Sequence, residues 1–415
     1  MNLLLVAYFY PPCRDTGAHR PAAMAKWLRR LGHRVTVLTT SAYGELDAEG
    51  ELDVARTQDL QRVRARMHGK DRVDALFDSD TYSGKPHVLS RVVVPEPLMV
   101  AWAPFAYREA LRLHAQEHFD CVITSSPPES VHFIGRALRR RGVPWVADLR
   151  DGWTFEPIRP GFPTRLQHRY DEHLERRWLG AADAVVAVSR PAADDLRDRL
   201  GLDPDLIPNG WDPDLNDGAA PTDVADRLLD PERTSLVYTG RFGSYGRDPT
   251  GLVEALRRLA KEHAAAAGKL ELVIAGPLTD EEATLMETDV SPARIVVAGT
   301  LERADALALQ GAADGLLLLA SARRSQLLNF KLFEYLAAGT PIVALAAGTE
   351  GARIVAEAGG EAVPADDPEA IVSALLRLVE GKVPPSDPDA RERYSYPKVA
   401  QQMASVAQRA VSRSL

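Results

Sequence analysis

The chain has 415 residues and a mass of 45.3 kDa, about two to three times a common domain size, so its length predicts two domains. Hydrophobic residues make up 45% and charged residues 26%, which is typical of a globular protein and excludes a disordered chain and a coiled coil. The net charge of −8 argues against nucleic-acid binding, which usually needs a basic excess. Two cysteines, Cys13 and Cys121, are too few for a disulfide framework or a four-thiolate metal site.

Apolar stretches are short throughout the chain. None approaches the roughly 18 residues that a membrane-spanning helix needs. Residues 1–10 are apolar, but they have no basic lead and no small-residue cleavage site, and two prolines follow them directly. We therefore interpret them as a buried strand and expect a protein of the reducing cytoplasm.

The first half alternates short apolar runs with longer amphipathic segments. This is the pattern of parallel strands joined by crossover helices, so the fold class is α/β. We predict strands at 2–10, 35–39, 120–124, 144–149 and 184–189, and helices at 18–31, 129–141 and 164–179. Residues 41–90 are polar and poorly periodic, which indicates a long excursion.

The second half repeats the alternation after a break. Residues 212–231 hold many Asp and Pro residues and little apolar pattern, which places a domain boundary there. We predict strands at 235–239, 270–275, 294–297, 315–319 and 341–345, a linker at 384–389 and a final helix at 396–411. Open α/β sheets bind ligands at the carboxyl ends of their strands, so we expect the active site in a cleft between two doubly wound domains.

Two glycine-bearing loops each follow an apolar strand and precede a helix. The first ends in Gly17, at a helix start where main-chain amides hold anions, although a simple turn is the alternative. The second, at 240–247, spaces its glycines three apart and matches neither the dinucleotide fingerprint nor the P-loop. Arg241 and Arg247 lie in it, and two permanent cations favour a phosphate-bearing ligand over a plain flexible turn.

The most informative stretch is N-F-K-L-F-E-Y-L-A-A-G-T-P at 329–341. It predicts a helix that begins near Asn329 and whose amino end binds phosphate. Lys331 and Glu334 are three residues apart and share a face of this helix. The carboxylate is suited to both ribose hydroxyls of a nucleotide and the cation to its phosphates. The alternative is a surface ion pair, which the apolar surroundings disfavour.

With these motifs in this order, the sequence resembles the retaining GT-B glycosyltransferases of family 4. The likeness rests on Y-F-Y-P-P at 8–12 with Gly17, G-H-R-V at 32–35, D-L-R-D at 148–151, Asn209-Gly210, Gly240-Arg241 and K-L-F-E-Y-L-A-A-G at 331–339. The resemblance implies two Rossmann-like domains facing a cleft. The first, at 1–208, would bind the acceptor and the second, at 209–390, the nucleotide sugar. Residues 391–415 would form a helix that crosses back to the first domain.

The resemblance also implies an activity. A sugar would move from a nucleoside-diphosphate sugar to an acceptor hydroxyl with retention, without a cofactor or a metal. Glu334 would contact the donor ribose, while Arg241 and a nearby lysine would neutralise the diphosphate, and Lys331 is one of the expected donor-binding residues. The other expected donor-binding residues are Gly17, Gly240, Arg247, Gln326, Asn329, Phe330 and Leu332.

Three positions depart from the family pattern. Gln326 stands where a first glutamate is common, so this position can hydrogen-bond a sugar but carries no charge. Gly246 stands where a phosphate-binding lysine is expected, which leaves that role to Arg247 or Lys331. A histidine common in the first-domain cleft is not evident at 124–128. His132, in the following helix, is interpreted as structural.

The acceptor side is less sharply defined. Asp151 follows the strand at 144–149 and is our candidate for taking the proton of the acceptor hydroxyl. Its alternative role is to cap the turn before Trp153. We assign acceptor binding to Arg14, Arg150 and Asp151, and catalysis to Asp151, Arg241 and Lys331.

A bound metal is not expected. Three D-x-D strings, at 78–80, 203–205 and 212–214, resemble the metal motif of one-domain glycosyltransferases, but two of them contain proline and are typical of turns. The chain also has no H-E-x-x-H motif and no paired-cysteine site.

Several alternatives stay open at this level. The same frame serves sugar-nucleotide epimerases and hydrolases, and a non-catalytic nucleotide-sugar-binding subunit would need the same residues. The acceptor is a lipid-linked glycan or a secondary metabolite. Basic clusters at 139–141 and 165–177 fit either peripheral contact with the inner face of an anionic membrane or solvated helix faces. The protein is expected as a monomer or homodimer.

Overall fold

The computed structural model describes residues 1–13, 15–46, 53–67, 92–156, 161–216, 222–242, 248–320, 328 and 330–414. Its strands are Asn2–Ala7 (β1), Arg34–Thr40 (β2), Val54–Thr57 (β3), Cys121–Ser126 (β4), Trp145–Leu149 (β5), Ala184–Ala187 (β6), Asp205–Leu206 (β7), Thr234–Thr239 (β8), Leu270–Ala275 (β9), Arg294–Gly299 (β10), Gly315–Leu319 (β11), Ile342–Leu345 (β12) and Glu361–Val363 (β13).

Its α-helices are His19–Arg30 (α1), Leu60–Met67 (α2), Leu98–Ala101 (α3), Ala103–Glu117 (α4), Val131–Arg139 (α5), Arg165–Leu179 (α6), Arg190–Leu200 (α7), Val224–Leu228 (α8), Thr250–Glu262 (α9), Ala264–Ala267 (α10), Asp280–Met286 (α11), Arg303–Ala312 (α12), Phe330–Ala338 (α13), Glu350–Glu357 (α14), Pro368–Val379 (α15), Pro388–Arg393 (α16) and Tyr396–Ser414 (α17). Short 3₁₀ segments lie at Thr16–Ala18 and Pro213–Asn216.

The chain divides into two compact units. The first comprises residues 1–209 with 396–415, and the second comprises 210–395. The first sheet has the parallel order β3-β2-β1-β4-β5-β6-β7, and the second has the parallel order β10-β9-β8-β11-β12-β13. In both, the order reverses beside the first strand of the sheet, which is the doubly wound Rossmann arrangement. The predicted fold class of two Rossmann-like α/β sheets is confirmed.

In the first unit, alternate residues of the strands face opposite layers. Leu4 and Val6 of β1 pack with α4, α5 and α6, whereas Leu3 and Leu5 pack with α1 and α17. This period of two is what a strand covered by helices on both faces requires. The final helix, α17, therefore belongs to the first unit and lies on the sheet face opposite α5 and α6.

In the second unit, the same alternation divides the core. Leu236 of β8 contacts the layer that includes α9 and α15, and Val237 contacts the layer that includes α12, α13 and α14. Helix α13 is fully apolar on its inner side. It ends before Gly339, whose φ of +77° is a left-handed conformation that glycine adopts without strain.

Several elements differ from the sequence prediction. The excursion at 41–90 contains β3 and α2 in its described part, and two edge strands, β7 and β13, were not predicted. These strands have only two to four residues, too few to show a periodic pattern. The predicted linker at 384–389 overlaps the start of α16, where the Asp387 carboxylate accepts a hydrogen bond from Ala390 N.

Among the described residues, no helix combines the length and apolarity needed to cross a bilayer.

Candidate functional site

The Gly17 loop is built at the carboxyl end of β1. Oδ1 of Asp15 accepts a hydrogen bond of 2.7 Å from Gly17 N, which starts the 3₁₀ turn that leads into α1. A Cβ atom at Gly17 would lie 2.9 Å from that oxygen and 3.1 Å from Nη1 of Arg150. A larger residue there would have to displace the Asp15 carboxylate and crowd the Arg150 guanidinium, so Gly17 lies in tight contact with both side chains.

Arg150 has a structural role that the sequence prediction missed. Its guanidinium donates to the carbonyl oxygens of Ser126, Pro127 and Gly17, so it ties the Gly17 loop to the segment after β4. The side chain is buried, and this desolvation lowers the pKa of Arg150 although Asp151 and Asp148 oppose the shift. Because its nitrogens donate to backbone carbonyls, Arg150 positions the loop, and its assignment to acceptor binding stays a prediction.

A second buried arginine lies beside it. Nε and Nη2 of Arg20 donate to the Asp148 carboxylate at 3.1 and 2.8 Å, and Nη1 and Nη2 donate to the carbonyls of Pro208 and Ile207. Oδ2 of Asp148 also accepts from Ser125 at 2.8 Å. This network joins α1, β4, β5 and the end of the first unit. Sequence reasoning missed it because its members are far apart in the chain and none stands out locally.

Asp151 directly follows this scaffold. It is partly exposed at the carboxyl end of β5 and lines a small cavity with Trp153, Glu175 and Asp195. Glu175 is fully buried and accepts hydrogen bonds from Arg199 at 2.7 and 3.0 Å. The structure thus places Asp151 at the sheet edge where the sequence expected it, and its proton-transfer role stays a prediction. Arg14, the third expected acceptor residue, lies outside the described residues.

His132 is part of the core. Its ring nitrogens lie 2.8 Å from Oγ1 of Thr124 and 2.9 Å from Oγ of Ser126, and the ring stacks on Trp153. Complete burial lowers the pKa of His132 to about 3. The neutral ring is therefore held between two hydroxyls, which agrees with its interpretation as a structural residue.

In the second unit, Lys331 lies against the end of β8. Gly240 has a φ of +97°, and a Cβ atom there would lie 2.6 Å from both Cε and Nζ of Lys331. Gly276 is also required, because a Cβ atom there would collide with the Gly240 backbone. The two predicted donor-site residues Gly240 and Lys331, which are distant in sequence, are thus brought into direct contact.

Tyr238 forms the platform for this contact. The Lys331 ammonium lies 4.2 Å from the centroid of the Tyr238 ring and donates to its hydroxyl at 3.0 Å. That hydroxyl donates in turn to the Arg241 carbonyl at 2.5 Å, and Phe242 stacks on the ring with centroids 4.1 Å apart. The sequence identifies Tyr238 only as a strand residue. Its one clue to a role at the site is that an aromatic ring lies two positions before Gly240.

Glu334 and Lys331 point to different partners. Oε1 of Glu334 pairs with Nη2 of Arg303 on α12 at 2.9 Å, while Lys331 reaches Tyr238. The Glu334 side chain is 14% exposed and that of Arg303 is 49% exposed. Because Arg303 is half in solvent, its bond to Glu334 contributes little and can be exchanged for another donor.

The remaining donor-site predictions have different outcomes. Arg241 is exposed and Phe330, the first residue of α13, is partly buried. Leu332 is fully buried in the core with Phe333, so its side chain cannot contact a ligand and the prediction for it is restricted to its backbone. Arg247, Gln326 and Asn329 lie outside the described residues.

Metal-binding geometry is not found in the described part of the chain, where no group of three or more His, Cys, Asp or Glu side chains could hold an ion. Two of the D-x-D strings have other roles. Asp205 pairs with Arg409 at 2.6 Å, and Oδ1 of Asp212 accepts from Asp214 N within a turn. The string at 78–80 lies outside the described residues.

The buried imidazole predicts acid sensitivity. The unfolded chain binds a proton at His132 below about pH 6.5 and the folded chain only near pH 3, so folding stability falls as pH drops across this window, by up to about 1.4 kcal/mol per pH unit. Urea unfolding of the native chain and of His132→Gln at pH 7 and pH 5 measures the effect. The variant is expected to be less stable at pH 7 but to lose less on acidification.

Asp59 is a second buried titratable group, and burial raises the pKa of its carboxyl. It is present in both the native chain and His132→Gln. The difference between them therefore isolates His132. An equal loss of stability in the two chains on acidification contradicts the prediction.

Because Arg150 donates to three backbone carbonyls, its replacement is expected to lower the stability of the whole first unit. Arg150→Gln removes charge-assisted hydrogen bonds to buried carbonyls, each worth about 1.5–3 kcal/mol. Calorimetry is expected to show a clearly lowered unfolding temperature for the first unit. Arg197→Gln, on an exposed pair with Asp194, serves as the control and is expected to unfold within a degree or two of the native chain. An unchanged unfolding temperature for Arg150→Gln speaks against this role.

Comparison with known proteins gives the family. Residues 21–215 match the model of Glycosyltransferase Family 4, and residues 233–381 match that of Glycosyl transferases group 1. A comparison with curated proteins gives no match.

Solved structures give the same fold. Sucrose-phosphate synthase from Thermosynechococcus elongatus is 18% identical, with a TM-score of 0.64 and coverage of 98% of each chain. A trehalose-6-phosphate protein from E. coli bound with UDP-2-fluoro glucose is 12% identical, with a TM-score of 0.54 and coverage of 100% of this chain and 97% of that one. A putative UDP-N-acetylglucosamine 2-epimerase from Listeria monocytogenes is 14% identical, with a TM-score of 0.54 and coverage of 97% and 95%.

At these identities the structural likeness shows the fold alone, and the two family models supply the kind of protein. Taken together, the family 4 match in the first half, the group 1 match in the second half and the shared fold of the solved structures support a GT-B glycosyltransferase.

Proposed function

We propose that this protein transfers a sugar from a nucleoside-diphosphate sugar to an acceptor hydroxyl with retention of anomeric configuration. The observation that carries the proposal is the cationic arrangement at the end of β8, where Lys331 lies against Gly240 beside Arg241. It occurs within the half of the chain that matches the group 1 glycosyl transferases. The E. coli structure bound with UDP-2-fluoro glucose is consistent with a nucleotide-sugar donor.

The donor diphosphate is assigned to Gly240, Arg241 and Lys331. Cleavage of the bond between the sugar and the diphosphate develops negative charge on the leaving group, and fixed cations lower the energy of that transition state. Tyr238 holds the Lys331 amine at the Gly240 backbone, so the cation is positioned before the ligand binds. Three expected donor residues lie outside the described part of the chain. In this proposal Arg247 adds positive charge, Asn329 binds phosphate at the amino end of its helix, and Gln326 hydrogen-bonds the sugar.

Glu334 is assigned to the donor ribose. Its carboxylate is held by the half-exposed Arg303. Two ribose hydroxyls replace this ion pair when a nucleotide binds, because hydroxyl donors satisfy the same carboxylate oxygens. Phe330 and the backbone of Leu332 complete the contact with the donor in this proposal.

The first unit is assigned to the acceptor. The Gly17 loop approaches the donor phosphates and the transferred sugar, and Asp151 receives the proton of the acceptor hydroxyl. The acceptor is a lipid-linked glycan or a secondary metabolite. The proposed reaction needs no cofactor or metal beyond the donor, and the departing phosphate assists same-face attack.

Ligand affinity tests the donor site. A thermal-shift screen of nucleoside diphosphates first identifies the preferred nucleotide, and calorimetric titration then compares it with inorganic pyrophosphate. Arg241→Ala and Lys331→Ala are expected to weaken both ligands about 10- to 100-fold, the value of a charge-assisted hydrogen bond. Glu334→Ala is expected to weaken the nucleotide but not pyrophosphate, because it contacts only the ribose.

The matched controls are Glu254→Ala and Arg258→Ala, which break a comparable exposed ion pair on α9 and are expected to leave both affinities unchanged. Unaltered nucleotide affinity in folded Arg241→Ala and Glu334→Ala proteins would falsify the proposal.

Product analysis tests the reaction. With the preferred sugar nucleotide and an acceptor, NMR is expected to show a new glycoside with the anomeric configuration of the donor. A free epimerised sugar nucleotide formed without acceptor identifies an epimerase instead, and free sugar identifies a hydrolase. Donor binding with no turnover under any condition identifies a non-catalytic binding subunit.

A further inference from the structure

Helix α6 has an unusual outer surface. Its inner side is buried through Leu174 and Trp178, but Leu166 is 78% exposed and Tyr170 is 52% exposed on the outside. These two residues are one turn apart, and Arg177 lies on the same line of the helix two turns further on. Arg165 and Arg169 are exposed beside them.

Helix α5 adds positive charge next to this line. Helices α5 and α6 pack against each other. Partial burial and the like charges of Arg140 and Arg177 lower the pKa of Arg136. In the described part of the chain, none of the three has an acidic partner. The repulsion among them disfavours the free protein and is relieved when an anion binds.

Neighbouring surfaces are arranged differently. On α7, Arg197 pairs with Asp194 and Arg199 pairs with Asp195, at 2.7 and 2.6 Å. The chain as a whole carries a net charge of −8. Among the described residues, Arg136, Arg140 and Arg177 are therefore a local group of arginines without an acidic partner. Glu172, the exposed acid of α6, lies on the side of the helix away from Tyr170, where it is three residues from Arg169 and seven from Arg165 and offsets their charge.

The combination of residues indicates the partner. Leu and Tyr side chains partition into the headgroup region of a bilayer, where the tyrosine ring is buried and its hydroxyl stays hydrated. Arginines beside them attract anionic lipids by about 1 kcal/mol each. We propose that the α5–α6 basic face, defined as Arg136, Arg140 and Arg177 with Leu166 and Tyr170, binds the surface of an anionic membrane.

The position of the face bears on the acceptor. Because α6 follows β5 in a crossover unit, its amino end with Leu166 lies toward the carboxyl edge of the first sheet, the edge at which Asp151 lies. A chain bound through this face holds that edge near the bilayer. Of the two acceptor classes, this favours the lipid-linked one, and that extension rests on the proposed function.

Vesicle binding tests the face directly. The full chain is mixed with vesicles of phosphatidylcholine alone or with about one third phosphatidylglycerol, at low and at high salt, and the bound fraction is measured by flotation. Binding is expected only to the anionic vesicles and is expected to weaken strongly with salt. Arg140→Glu/Arg177→Glu is expected to lower the partition coefficient at least about 10-fold, and Leu166→Ser/Tyr170→Ser is expected to lower it as well.

The matched control is Lys398→Glu/Arg413→Glu, which makes the same charge change on exposed positions of α17, on the opposite face of the first sheet. This control is expected to bind vesicles like the native chain. The proposal is overturned by absence of binding to anionic vesicles at low salt, by an equal loss in the control, or by a native dimer that the α5–α6 substitutions dissociate without any vesicle binding.

Nucleotide affinity is measured on the same variants. It is expected to stay native, because the substitutions are in the first unit and leave Arg241, Lys331 and Glu334 intact. Loss of vesicle binding with native nucleotide affinity therefore assigns the effect to the membrane face. Failure of nucleotide binding in the native chain refutes the proposed function and leaves the membrane result standing.

Discussion

The second unit depends on the close approach of a lysine to a peptide backbone. Lys331 reaches the end of β8 only because Gly240 has no side chain, and Gly240 reaches its position only because Gly276 has none either. A side chain at Gly240 would occupy the space of the Lys331 amine and push this cation away from the backbone. The Tyr238 ring and hydroxyl then hold the Lys331 ammonium in place, so folding itself fixes the position of this cation.

The first unit solves a different problem, which is how to hold loops at the edge of a parallel sheet. Arg150 and Arg20 do so with buried guanidinium groups that donate to backbone carbonyls and to Asp148. A guanidinium is suited to this task because its donors diverge in one plane and it stays charged at every physiological pH. Two adjacent residues of this motif therefore have different surroundings. Arg150 is buried and donates to backbone carbonyls, whereas Asp151 is partly exposed at the carboxyl edge of the sheet.

Charge is distributed unevenly over the surface of the protein, although its net charge is −8. Many exposed arginines pair with a carboxylate within one helical turn, as Arg197 does with Asp194 and Arg227 does with Asp223. Such pairs contribute little to stability but leave no local field. Among the described residues, Arg136, Arg140 and Arg177 on α5 and α6 lack this compensation, whereas Arg139 pairs with Asp183. An acidic protein can thus present one basic surface.

The sequence by itself determined the doubly wound class, most of the longer strands and helices, and two of the tightly packed glycines, Gly17 and Gly240, but not Gly276. These features are local, since a period of two, a helix repeat or a strand-loop-helix order is written within a few neighbouring residues. Short edge strands such as β7 and β13 were too brief to be seen. Only the tertiary structure decided which partner each functional side chain has: Arg150 holds Gly17 across 133 positions of sequence, Lys331 reaches Tyr238 across 93, and Glu334 takes Arg303 instead of Lys331. The physical reason is that crossover connections bring strand ends together in an order that differs from their order in the chain.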